Sequence, residues 1–252
     1  MKSNLNTSFT RRKQSLVCVV LFVATGAVAF TRVVAAARAM GESDRIEAQS
    51  EPILLLVEEF DSVTPPALPP GWSSTTWMTS DSGMPTPPAD TLPNAAFVND
   101  PATISDNQLL SPSISYISDL GPVQLIFRNN FNLQAGFDGG VLEISFDDGL
   151  TFQDIIAAGG TFVSGGYNGT ISDCCGNPLA GRQAWTGISS GFGTVKVNLP
   201  YSLAPLILRW RMGSDSSLSG DGWRIDSISI TQYVRYFRPP RHPTPHPRPT
   251  SR

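Results

Sequence analysis

Residues 137–187 read FDGGVLEISFDDGLTFQDIIAAGGTFVSGGYNGTISDCCGNPLAGRQAWTG. Leu142, Ile144 and Phe146 alternate with Val141, Glu143 and Ser145, and the run ends at Asp147-Asp148-Gly149, a turn signal. A second short apolar run, Phe152 to Ile156, follows. This pattern predicts a strand, a tight turn and a strand. A glycine-rich excursion comes next, and order returns near Trp185.

The same period-2 alternation extends outward in both directions. Ile53 to Phe60 is the first strand candidate. The stretch from Asp61 to Trp72 is crowded with prolines and is expected to be extended loop. Trp72 and Trp77 are expected to close one end of a core, and Ser80 to Pro93 to form a long surface loop. Phe97 to Asp100 and Asn107 to Ser111 read as short strands. Val123 to Leu133 places Val123, Leu125, Phe127, Phe131 and Leu133 in one phase. Thr194 to Leu199 and Leu206 to Met212 alternate again, with Arg209 and Arg211 outward. Ser214 to Gly222 is a polar loop. Trp223 to Thr231 closes the series, but its apolar phase shifts from Trp223 and Ile225 to Ile228 and Ile230. One extra residue near Asp226, a β-bulge, accounts for that shift. Eight to ten short strands with no helices between them predict an all-β fold, a two-sheet antiparallel β-sandwich of jelly-roll type.

The chain has 252 residues, 40% of them hydrophobic and only 15% charged. Residues 1–39 read as an export signal: Lys2, Arg11, Arg12 and Lys13 precede an apolar run from Leu16 to Phe30, too short for a confident membrane span. The alternative is an uncleaved N-terminal anchor. Residues 40–52 are a loose N-terminal segment, 53–232 the sandwich domain and 233–252 a basic, proline-rich tail. The expected address is extracellular or at the cell surface, with the membrane involved only through the export signal. Between Glu51 and Gln232 there are 18 acidic and 6 basic residues, whereas five arginines and no acid follow Gln232. So acidic a body excludes nucleic acid as a partner, since such binding needs cationic surface. Both histidines, His242 and His246, lie in the tail, so the domain holds neither a Ser-His-Asp site nor a His-rich zinc site.

Several stretches together resemble one family. Glu58-Glu59-Phe60-Asp61 with Leu68-Pro69-Pro70-Gly71-Trp72 resembles the opening of the MAM-like jelly-roll domains of secreted bacterial proteins, found beside immune inhibitor A type metalloproteases. Gln108-Leu109-Leu110-Ser111-Pro112 resembles their short strand before the core sheet. The run from Phe137 to Ser145 resembles their central strand. Residues 177–187 and the closing Gly222-Trp223-Arg224-Ile225-Asp226-Ser227-Ile228-Ser229-Ile230 fit as well. The resemblance spans about 58–230. It implies an accessory domain without catalytic residues, and no His-Glu-x-x-His protease motif occurs in the chain.

The resemblance to galactose-binding-like jelly rolls also implies a structural calcium ion between the first and last strands. Asp61 and Asp226 are its expected ligands, with Asp100 and Asp138 as further candidates, because hard cations take carboxylate and carbonyl oxygens. The alternative is that these acids cap turns or pair with arginine. For a ligand, the glycine-rich segments allow close backbone approach, and Tyr167, Asn168, Trp185 and Phe192 are the candidate contacts, with Trp185 as a core residue the competing assignment. Cys174 and Cys175 are adjacent: a vicinal disulfide, two free thiols or bonds to another chain all remain open. Glu143, Asp147 and Asp148 have the residue types of a glycosidase acid pair, yet turn geometry favours solvated acids. The expected function is a non-catalytic extracellular binding or adhesion module for a glycan or protein. Its rivals are a carbohydrate-active hydrolase on the same fold and a purely structural cell-surface protein.

Overall fold

The computed structural model describes residues 48–117 and 121–237. Residues 1–39, read as an export signal, and the tail from 238 onward lie outside the described residues. Thirteen strands are formed, and among the described residues no helix. In chain order they are β1 (Ala48–Glu58), β2 (Met78–Ser80), β3 (Ala95–Val98), β4 (Ser105–Leu110), β5 (Val123–Asn132) and β6 (Gly139–Ser145). There follow β7 (Gln153–Asp154), β8 (Thr161–Ser164), β9 (Gly169–Thr170) and β10 (Gln183–Ala184). The last three are β11 (Gly193–Leu199), β12 (Ile207–Ser214) and β13 (Gly222–Phe237).

Two large antiparallel sheets result, with β9 and β10 forming a small two-stranded one beside them. One runs β2-β3-β13-β5-β11-β8, and β1 also pairs with β13; the other runs β4-β12-β6-β7. Strand β13 is long enough to serve two partners on one side. Residues 223–225 pair with β3, and 228–237 pair with β1. Successive long strands alternate between sheets: β3, β5, β11 and β13 in one, β4, β6 and β12 in the other. That winding is a jelly roll. The first strand starts earlier than the apolar pattern indicates, at Ala48, and the last runs on to Phe237, because these two ends pair with each other.

The core lies where the odd-phase residues of β5 and β11 meet the even-phase residues of β12. Leu125, Phe127, Val197, Leu208, Trp210 and Met212 are all fully buried there. All five tryptophans join one aromatic chain. Trp72 contacts Trp210, Trp210 and Trp185 both contact Phe127, Trp185 contacts Trp223 and Trp223 contacts Trp77, with ring centroids 5.2–5.8 Å apart. The bulge in the last strand is present. Pairing with β5 slips between Asp226 and Ser229, and Ser227 takes a left-handed φ of 48°. Trp223 and Ile225 therefore face the same core as Ile228 and Ile230.

The excursion after β7 folds back over the outer face of β6. Every residue of β6 is buried as a result. Val141 packs there with Ile171, Leu179 and Ala184, partly covered by Tyr167. Glu143, expected to be a solvated acid, lies under this lid at 3% exposure. Arg182 and Arg209 each reach it at 2.5 Å and Arg211 at 3.5 Å. Buried in this way the carboxylate is a clamp between the lid and β12, and its three cations offset its desolvation. Asp147 does stay in the exposed turn, where bonds from Thr151 and Ser145 hold its carboxyl down at about 2.

The proline-rich loop after β2 is not a free surface loop. It wraps the guanidinium of Arg224, which is fully buried on β13. The carbonyls of Ser80, Ser82, Met84, Pro85 and Pro88 accept from it at 2.6–3.4 Å, and the Phe97 ring stacks 4.5 Å away. Prolines suit this role, since a fixed φ stiffens the loop and a missing N–H leaves fewer donors in it to satisfy. Burial pushes the guanidinium down to about 10.

Candidate ligand-binding groove

A groove of about 330 Å³ opens between this loop and the outer face of the seven-stranded sheet. Met84, Pro85 and Thr86 form one wall, Asn130, Phe131 and Asn132 of β5 the floor, and Ile188, Ser190, Gly191 and Asp221 the other wall. Strand alternation aims Asn130 and Asn132 outward, because Phe131 between them is buried against the core. Asn130 donates to Pro87 O at 3.2 Å and accepts from Ser189 Oγ at 3.0 Å. Asn132 donates to Asp221 Oδ2. Met84 and Ile188 are exposed at 52% and 68% and supply the apolar rim. Asp221 is the only acid lining the groove, and no lysine or arginine lines it. Asn130 and Asn132, in the phase opposite to the buried Phe127 and Phe131 of β5, were the available signal, in a strand that also carries Gln124, Arg128 and Asn129. Asp221, in a polar loop, gave none.

The residues expected to contact a ligand are placed elsewhere. Trp185 is 2% exposed; its indole N–H donates to Gly165 O at 2.8 Å, and its rings meet Phe127, Phe162, Tyr167 and Trp223. The Tyr167 hydroxyl accepts from Leu142 N–H at 3.0 Å and lies 3.1 Å from Asp154 Oδ2. Asn168 bonds both the N–H and the C=O of Thr186 at 2.9 Å. Tyr167 pins the lid to β6, Asn168 and the Trp185 indole N–H tie the lid to itself, and the stacking and bonding capacity of all three is used internally. Phe192 is half-buried, with its carbonyl accepting from Arg128 at 3.0 Å. Cys174 and Cys175 are bonded to each other on an exposed turn.

The carboxylates expected to hold calcium separate into two places. Asp61 Oδ1 accepts from Asn94 N–H at 2.8 Å. Asp226 accepts from the N–H groups of Asp90, Thr91 and Ser227 at 2.7, 3.0 and 2.7 Å. Both therefore fasten the segment 90–94, and Asp226 is surrounded by donors. Burial nevertheless pushes Asp226 up to about 7 against those three bonds. A carboxylate engaged by N–H groups on both oxygens does not fit a cation ligand, so the pair Asp61 and Asp226 does not match the implied ion. Asp100 and Asp138 meet at the other place, together with Asp215, which the sequence pattern did not single out. Asp100 and Asp138 are turned onto the N–H groups of Gly220 and Asp215 at 2.8 and 2.7 Å, and among the described residues no group able to hold a metal ion is formed.

No protein-family model and no curated protein matches this chain. Solved structures do show likeness. The CBM22-1 xylan-binding domain from Paenibacillus barcinonensis aligns with a TM-score of 0.41 at 12% identity, over 75% of this chain and 98% of that one. The K3 cleaved adhesin domain of Lys-gingipain from Porphyromonas gingivalis aligns at 0.36 and 14%, over 72% and 99%. A mannan-recognising carbohydrate-binding module, TmCBM27, aligns at 0.35 and 10%, over 72% and 98%. At these values the likeness identifies neither a relative nor a ligand.

Proposed function

We propose that this chain is a non-catalytic, exported binding module, and that the groove beside the proline loop takes a neutral glycan. The groove's lining carries the reading. The partly exposed Asn132 amide and Asp221 carboxylate are directional partners for hydroxyl groups, braced by the buried Asn130, and Met84, Pro85 and Ile188 suit the C–H face of a sugar ring. The absence of any cationic side chain among the lining residues disfavours an anionic ligand. Glycoside hydrolysis needs two carboxylates roughly 5–10 Å apart across the bond. This groove offers Asp221 alone, already bonded to Asn132. The resemblance to MAM-like accessory domains supports the same assignment, as does the export signal read at residues 1–39.

A glycan array followed by amide-resolved NMR titration tests it. Xylo- and manno-oligosaccharides are the first probes, since xylan and mannan are named for two of the similar structures. The expected result is shifts confined to residues 84–86, 130–132, 188–191 and 221. Asp221→Ala and Ile188→Ala should each weaken binding about tenfold, the loss of one good contact. Silence across the array, or shifts centred elsewhere, overturns the groove as a glycan site. A silent array would then favour adhesion to a protein.

A further inference from the structure

Two loops meet at the end of the sandwich opposite the groove. Register places Leu199 of β11 and Gln232 of β13 on either side of Val123, the first residue of β5, whereas the groove floor lies at the other end of that strand. Residues 111–117 and 200–206 close this end. Ile114 and Leu206 exchange backbone hydrogen bonds of 2.8 Å in both directions. The Tyr116 hydroxyl donates to Pro200 O at 2.8 Å, and Ile117 N–H donates to Gln232 Oε1 at 2.7 Å. The Ser202 hydroxyl donates to Ala204 O at 2.8 Å and accepts from Ala204 N–H at 3.1 Å.

On this braced backbone the apolar side chains stay outside. Ile117, Tyr201 and Leu203 are 59%, 57% and 88% exposed, and Ala204 and Pro205 are exposed beside them. No charged residue occurs in 111–117 or 199–208. Leu150 and Leu218 are comparably exposed, but each is the single exposed large apolar residue of its loop, which is ordinary for a protein surface. A rigid, uncharged, apolar cluster on adjoining loops marks a contact surface instead. Its surroundings select the partner. A stable protein interface buries roughly 800 Å² on each side, and a few side chains on two short loops fall short of that. A bilayer asks only for depth: aliphatic tips enter the acyl chains, and a tyrosine ring suits the headgroup level. The hydrogen bonds within and between the loops already satisfy backbone groups that would otherwise resist leaving water.

Charge points the same way. Strand β13 runs on past Gln232 to Phe237, so the chain leaves the domain at this end. The residues after Phe237 include Arg238, Arg241, Arg248 and Arg252 and no acid. Basic segments are drawn to anionic headgroups, and an apolar insertion with a basic segment gives the two signals that stable attachment needs. We infer that this end of the domain docks on an anionic lipid bilayer through Leu203, Ile117 and Tyr201, which leaves the groove at the other end facing away from the lipid. The sequence pattern assigns membrane contact to residues 1–39 alone; this surface lies within the folded domain. It stands independently of the glycan assignment, because none of its residues lines the groove.

Leu203→Trp is the reporter, since the five native tryptophans are all at 7% exposure or less. The full chain is titrated with vesicles of equal parts brominated phosphatidylcholine and phosphatidylglycerol, whose bromine quenches indole fluorescence within the acyl region. The apolar run from Leu16 to Phe30 suits a bilayer by itself, so the position of quenching decides, not attachment alone. Leu203→Trp should be quenched, and Leu218→Trp, in the loop before β13 at the opposite end, should not. Ile117→Asp added to the reporter should weaken the response at least about tenfold, as should leaving out phosphatidylglycerol. Equal quenching of both reporters, or of neither, overturns the surface. So does a response unchanged by Ile117→Asp. Equal quenching without phosphatidylglycerol overturns an anionic surface as the partner. A lipid-free dimer seen by sedimentation and abolished by Leu203→Asp also overturns the proposal, because a second copy would then cover the tip. Should Ile117→Asp fail to fold, Tyr201→Asp in the same reporter decides.

Discussion

Gly140 on β6 faces Trp223 on β13 so closely that a Cβ added to the glycine would stand 2.5 Å from the indole ring. The contact sits at the middle of the aromatic chain and sets the spacing of the two sheets there. Gly140→Ala is therefore expected to cost about 1–3 kcal/mol, the usual penalty of overpacking a close-packed core. Urea unfolding should show a lower midpoint with an unchanged slope. Gly193→Ala is the control, because its nearest neighbour to such a Cβ is Asn129 O at 3.9 Å. It should be close to neutral. Equal losses at both positions would mean that the Trp223 contact does not explain the glycine, because the entropy change of Gly→Ala alone favours the folded state.

Arg224 joins the fold to the groove. Its guanidinium holds the loop through four carbonyls, with a fifth from Ser80 at the end of β2, and Met84, Pro85 and Thr86 of that loop line the groove. Arg224→Met keeps the stem but removes every donor. The expected cost is about 3 kcal/mol or more, since buried carbonyls are left unpaired. Limited proteolysis should then cut within 81–93, and any ligand of the groove should be lost with it. Arg224→Lys should recover only part of both effects, because three donors on a point charge cannot replace a planar fork. A loop that stays uncut in Arg224→Met would show that proline stiffness alone holds it.

How far could these features be seen in the chain itself? The phase change from Trp223 and Ile225 to Ile228 and Ile230 announced the bulge, because strand periodicity is strictly local. The turn at Asp147-Asp148-Gly149 was legible for the same reason. The lid was not. Val141, Glu143 and Ser145 have the pattern of an outward face, and what buries them is the return of residues 160–187, a non-local event. That return also spends Tyr167 and Trp185 on the interior, although their residue types suggest a stacking surface. Asp215 lies in a serine-rich loop where an aspartate normally means a turn. Only the folded chain brings it beside Asp100 and Asp138. Arg224 likewise reads as an exposed charge on an alternating strand until a loop more than 130 residues earlier wraps it.

The pH response of stability follows from Asp226. Burial raises its carboxyl to about 7 in the folded protein, against roughly 3.9 in an unfolded chain. Between those values the folded state keeps a proton that the unfolded state has lost. Stability from this group is thus greatest below about pH 4, declines as the pH rises toward 7, and is level above. Asp226→Asn cannot titrate. Its melting temperature relative to the parent should therefore rise steadily from pH 4 to pH 7 and then stay constant, whatever constant offset the substitution brings. Comparing the two proteins at each pH cancels the contribution of Asp138, which burial also raises to about 7 and which is common to both. The opposite slope would mean that the N–H groups of Asp90, Thr91 and Ser227 win over burial. Asp226 would then be an ionised anchor whose stabilisation is lost in acid, and the segment 90–94 would be held by charge and not by a neutral hydrogen-bonded acid.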